Sequence, residues 1–182
     1  MIGIIILVVV VVILLWGISI YNKLVSLRMN VREGFSTIDV FLKKRYDLIP
    51  NLVETVKGYA SHEKETLQNV IEARGNAISS STDEKSKYEG ELSNALSRLL
   101  MLSENYPDLK ADSQFTNLQK ELKGIESEIE KSRRYYNGTV KNLNKTIQSV
   151  PSCIIASLFK FKEEPFFELE NTEERKNVQV KF

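Results

Sequence analysis

Two spacings of apolar residues organise this chain. From Ile2 to Ile20 it reads IGIIILVVVVVILLWGISI, apolar on every side, with no charge before Lys23. A helix rises about 1.5 Å per residue, so such a run crosses the roughly 30 Å hydrocarbon layer of a bilayer once. The β-branched stretch Val8 to Val12 would suit a buried strand, but the whole run is too long for one. Trp16 and Tyr21 lie toward its end, where amphipathic rings favour the headgroup level. The pattern predicts a transmembrane anchor over residues 1–21, with lipid contacts from 2–20.

Beyond Tyr21 the apolar positions step by three and four. Leu24, Arg28, Val31, Phe35, Ile38, Leu42 and Arg45 form one stripe, and Leu52, Val56, Tyr59, Glu63, Leu67, Val70, Arg74 and Ala77 a second. Tyr88, Leu92, Ala95, Leu99 and Leu102 form a shorter one. The strictest runs from Phe115 through Leu122, Ile129, Tyr136 and Leu143 to Val150 without a slip. This is the spacing of helices packed along a seam, and no comparable stretch alternates with period two.

Breaks fall at KKRYD-LIP, SSSTDE, NYPDLKAD and SVPS. The expectation is an all-α protein: the anchor, then an elongated antiparallel four-helix, coiled-coil-like bundle over 22–150. Its helices fall at about 22–46, 48–79, 82–105 and 113–149, because short connections favour antiparallel neighbours. An aromatic membrane-proximal segment over 151–168 and a mobile tail over 169–182 complete the chain.

Local signals refine these limits. In DLIPN, Asp47 reads as an N-cap that places Pro50 in a first helical turn, where its missing N–H costs nothing. Lys43, Lys44 and Arg45 then complement the negative end of the preceding helix. Ser81 and Glu84 have capping-box spacing, and Tyr106 before Pro107 is pushed away from helical angles.

Charge and chemistry narrow the function. The formal net charge is +1, so no strong field draws the chain to nucleic acid. Lys23, Arg28 and Arg32 follow the apolar run and no Lys or Arg precedes it, which places the N-terminus outside and the bulk in the cytoplasm. A cleaved signal peptide would want a basic start and a better cleavage match than Gly17-Ile18-Ser19.

His62 is the sole histidine and Thr66 stands where a zinc-protease helix needs a second one. Cys153 is the only cysteine and reads as a small hydrophobe. SRRYYNGT pairs Arg133 and Arg134 with Tyr135 and Tyr136, but Tyr136 belongs to the apolar stripe and the arginines read as a solvated face. Asn137-Gly138-Thr139 and Asn144-Lys145-Thr146 match a glycosylation pattern that a cytoplasmic domain never uses. No catalytic residue, cofactor site or metal site is expected. The seam residues Arg28, Glu63, Arg74 and Ser132 read as devices that fix helix register.

Three stretches carry a resemblance. YNKLVSLRMNVREGFSTIDVFLKKRYDLIPNLVETVKGYASHE, then ENYPDLKADSQFTNLQKELKGIESEIEKSRRYYNGTVKNLN, and PSCIIASLFKFKEEPFFE together resemble the LemA family from about Tyr21 to Glu168. Phe35 stands where the family pattern has tryptophan, and Phe41 where it has glutamine. The resemblance implies a bacterial inner-membrane protein with one N-terminal span and a cytosolic helical bundle. It brings no catalytic residues. It implies a setting in membrane-protein quality control or envelope stress, with a membrane metalloprotease as one candidate partner.

An up-down bundle returns its fourth helix to the bilayer, which puts PSCIIASLFKFKEEPFF beside the membrane. Two readings of that segment stand: an interfacial foot on the inner leaflet, or a cover for the bottom of the bundle's own core. Two functions stand as well. The favoured one is a membrane-anchored scaffold or adaptor that presents a helical rod to unknown membrane or cytosolic proteins, with self-association through exposed seam surface. The other is a self-assembling membrane-remodelling or membrane-organising protein.

Overall fold

The computed structural model describes residues 1–82 and 84–168, so the expected tail at 169–182 lies outside the described residues. Among those described, every regular element is helical: α1 (Ile2–Tyr59), α2 (Lys64–Ser79), α3 (Lys85–Met101) with a 3-10 turn (Leu102–Glu104), α4 (Pro107–Ala111), α5 (Ser113–Gln148) and α6 (Ser152–Leu158). The chain divides into two compact units. Among the described residues, one joins 1–39 to 130–166, and the other takes 40–129 with Phe167 and Glu168.

In the first unit, Leu24, Val31 and Ile38 of α1 are buried with Tyr136, Val140 and Leu143 of α5. The two helices approach closely at Gly34, where an added Cβ would lie 3.2 Å from the Tyr136 Cα. Phe35 meets the Tyr136 ring edge-on at 5.8 Å, a favoured aromatic geometry. The first turns of α1 behave differently, with every large apolar side chain from Ile2 to Trp16 at least 46% exposed.

In the second unit, Leu42, Leu52 and Val56 of α1 are buried with Leu67 and Val70 of α2, Leu92 and Leu99 of α3, and Phe115 and Leu122 of α5. Asp112 caps α5, its Oδ1 accepting from the Phe115 N–H at 2.7 Å. Pro107 opens α4 at a first-turn position, with Tyr106 extended before it (φ −126°, ψ 85°).

The expected corner at Asp47 is absent. Residues 22–46 and the start of 48–79 belong to one helix that carries Pro50 in its interior, and the break comes instead at Ala60–Glu63. Pro50 has no N–H to donate to the carbonyl one turn back, that of Tyr46. Arg74 supplies the missing donor: its Nε donates to the Tyr46 oxygen at 2.8 Å. Asp47 caps nothing and pairs across one turn with Lys43 at 3.1 Å.

The expected start of the third helix at 82 also moves. The Ser81 hydroxyl bonds Glu84 Oε2 at 3.0 Å, but this pair closes a turn ahead of the helix, and α3 begins at Lys85 with Glu84 as its N-cap. Its buried stripe is Glu89, Leu92, Leu96, Leu99 and, past its end, Ser103. Tyr88 and Ala95 are only partly covered. The face is rotated because a carboxylate, Glu89, occupies a core position.

Candidate functional site

The first unit carries the surface most unlike an ordinary soluble one. α6 ends in a Schellman motif: the Phe161 N–H donates to the Ala156 carbonyl at 2.9 Å and the Lys160 N–H to Ser157 at 3.2 Å. Lys160 takes the left-handed conformation the motif requires (φ 55°). The turn folds Phe161 back under the helix, where it is buried.

α6 leans on α1 at the end of the apolar run. A Cβ added at Gly17 would meet Ile155 Cδ1 at 3.7 Å, so glycine there lets the helices come close. Phe159 and Phe161 pack on the Tyr21 ring at 4.7 and 5.8 Å. The Arg28 guanidinium lies over the Phe161 ring at 4.9 Å from its centroid.

After α6 the chain has no regular secondary structure and is tied to α5 through its backbone. The Asn144 amide makes two bonds to Glu164, donating to its carbonyl at 2.9 Å and accepting from its N–H at 3.0 Å. The Tyr136 hydroxyl donates to the Pro165 carbonyl at 2.9 Å. Burial, and then the charge of Glu164, push the Tyr136 phenol above its usual pKa. Asn144 is thus a buried structural clamp, which explains a side chain that the sequence offers only as part of a glycosylation pattern.

The segment therefore splits. Phe161, Phe167 and Ala156 are buried, whereas Val150, Ile154, Leu158, Phe159 and Phe166 are exposed, with Lys160 and Lys162 among them. Ile154 and Leu158, one turn apart on α6, make an apolar ridge, and Val150 stands exposed in the turn before the helix.

The second unit holds a buried charge network. Arg45 and Glu89 are both fully buried and paired, and the Tyr46 hydroxyl donates to the same carboxylate. Arg45 also reaches Glu126 Oε1 at 2.7 Å and Ser93 Oγ at 3.1 Å. The cluster links α1, α3 and α5, and with Arg74 on the Tyr46 carbonyl it includes α2. Such a network favours one helix register, since each charge has its partners only when these helices align.

Two open grooves flank it. One of about 750 Å³ runs between α1 and α5, with Phe41, Leu48, Leu118 and Ile125 in its lining and Lys44, Asp47 and Glu121 around them. The other, about 580 Å³, lies between α2 and α3 and is more polar, with Glu65, Asn69, Glu91 and Arg98. His62 is exposed, and Glu63 accepts from the Tyr106 hydroxyl at 3.0 Å, which raises the Tyr106 pKa. Among the described residues no three or more His, Cys, Asp or Glu side chains gather as a metal-holding group.

Comparison with known proteins adds the following. A family model described as LemA family matches residues 34–182. Magnetosome protein MamQ of Magnetospirillum gryphiswaldense is 23% identical over 174 residues, covering 81% of this chain and 64% of that protein. Protein LemA of Metamycoplasma hominis is 25% identical over 140 residues, covering 75% of this chain and 64% of its own. Magnetosome protein MamQ 2 of Paramagnetospirillum magneticum is 23% identical over 175 residues. The chain spans about 64% of the length of each of these curated relatives.

Proposed function

Because this chain belongs to the LemA family, we propose that it is a membrane-anchored helical scaffold or adaptor. Residues 2–20 cross the bacterial cell membrane once, with the N-terminus outside, and the rest forms a cytosolic four-helix bundle that binds partner proteins. The reading rests first on the exposed apolar start of α1. Its side chains from Ile2 to Trp16 lie open although the stretch is long and apolar enough to cross a bilayer. Water is a poor solvent for such a surface and hydrocarbon a good one. Lys23, Arg28 and Arg32 on one flank support the orientation.

A binding role is supported by what the second unit offers: one open groove lined by apolar side chains with charges around them, and a second, more polar one. The setting in membrane-protein quality control or envelope stress, and a metalloprotease partner, rest on the family resemblance. The exposed ridge of α6 favours a second reading, a membrane-organising protein that acts on the bilayer directly. The MamQ relatives, named for the magnetosome, are compatible with either reading.

The full-length chain is expected in the membrane pellet after alkaline washing and in solution only with detergent, whereas a 2–20 deletion moves to the aqueous fraction. Recovery of the full chain from the aqueous fraction would remove the anchor and the scaffold reading with it. In-cell crosslinking followed by mass spectrometry then separates the two functions. Recurrent heterologous proteins fit the adaptor, and crosslinks confined to copies of the chain on coated vesicles fit the organiser.

A further inference from the structure

We propose that the outer ridge of α6 is a lipid contact: a short interfacial foot that lies in the headgroup and upper acyl region of the same bilayer that α1 crosses. The proposal rests on the anchoring reading and deepens it.

Depth is fixed by α1. Ile155 touches α1 at Gly17, three residues before the apolar run ends at Ile20. With a rise of about 1.5 Å per residue, α6 lies roughly 4–5 Å inside that end. Interfacial helices bury their apolar face about 5–10 Å into the headgroup and acyl boundary. The position on α1 falls at the shallow end of that range.

The chemistry of the face agrees. Val150, Ile154 and Leu158 are 83%, 65% and 69% exposed. Ile154 and Leu158 stay open beside the face on which Ile155 and Phe159 meet α1. Phe159 is itself 54% exposed beside Tyr21, and Trp16 is 50% exposed one position before Gly17. Aromatic rings thus gather at one level, as they do at membrane interfaces. Lys160 and Lys162 follow directly and are exposed, able to snorkel to phosphate groups. α6 meets α1 at Gly17, within the apolar run, so the solvent that covers the exposed start of α1 also reaches the exposed side of α6.

Trp16 is the sole tryptophan, which makes a clean test. The full chain is placed in phosphatidylcholine vesicles brominated near the headgroup end of the acyl chains. Quenching of wild-type Trp16 reports the anchor. Trp16→Phe/Ile154→Trp and Trp16→Phe/Leu158→Trp report the foot, and both positions are exposed, so the substitutions leave the packing in place. Trp16→Phe/Lys141→Trp, at an exposed α5 position, reports the water side.

Both α6 probes are expected to lose emission to an extent comparable with wild-type Trp16, as burial to a depth of roughly 5–10 Å implies, with little change for the Lys141 probe. Quenched Trp16 with unquenched α6 probes overturns the foot and leaves the anchor standing. Unquenched probes with blue-shifted emission would put protein on the ridge instead and overturn it equally. Unquenched Trp16 removes the anchor and the foot together.

Discussion

Arg45 and Glu89 form a fully buried ion pair that is costly to break. Removing one partner strands a charge away from water, which typically costs about 3–5 kcal/mol, while replacing both by apolar groups is often close to neutral. Arg45→Met is therefore expected to destabilise by that order, and Arg45→Met with Glu89→Leu to regain much of it, measured by chemical unfolding in detergent. Arg74 is a second such residue. In the native chain Arg74→Met leaves the Tyr46 carbonyl short of a donor, at about 1–3 kcal/mol. With Pro50→Ala the new N–H takes over that carbonyl, so the cost of Arg74→Met should fall, and a double-mutant cycle reads the difference. Asp112 sets a pH dependence. Its carboxylate accepts from the Phe115 N–H and from the Tyr59 hydroxyl at 2.9 Å, which holds its pKa below 3.8. A depressed folded-state pKa gives stability that is present above 3.8 and lost as the pH falls through the lowered value. Asp112→Asn, which keeps a cap acceptor, should flatten the acid side of the melting profile.

At the level of elements, the helical class and the apolar start of α1 are legible from spacing and hydropathy alone. What escapes is what a distant residue decides. Pro50 looks like a helix start, because local rules cannot see that Arg74, 24 positions along, donates to the carbonyl that proline leaves open. Arg74 does show as a polar residue in an apolar stripe, and that was the available signal. The face of α3 is misread for a related reason: a carboxylate is assigned to water by default, and only Arg45 makes Glu89 a core residue. Glu89 also lies a step from the apolar stripe that spacing suggests, so nothing local marks it. The Asn144 clamp is equally hidden, since an amide that reads backbone has no pattern in the sequence it binds. The aromatic segment is legible as unusual, but its division into buried Phe161 and exposed Ile154 depends on the turn at Lys160.

For the whole molecule, the resemblance in three stretches and the match over residues 34–182 agree on the family. The anchor prediction belongs at this scale: deleting 2–20 should change where the chain is found and leave Arg45 and its partners untouched, because none of them comes from that stretch. The Asn144 tie has a consequence for the order of events during synthesis. The apolar start of α1 is made long before Glu164, by roughly 7–30 s at ordinary elongation rates. The tie cannot close until that last partner emerges. α6 must therefore settle late, onto a helix that has already found its place, and a translation pause after residue 150 would hold its apolar ridge back until then.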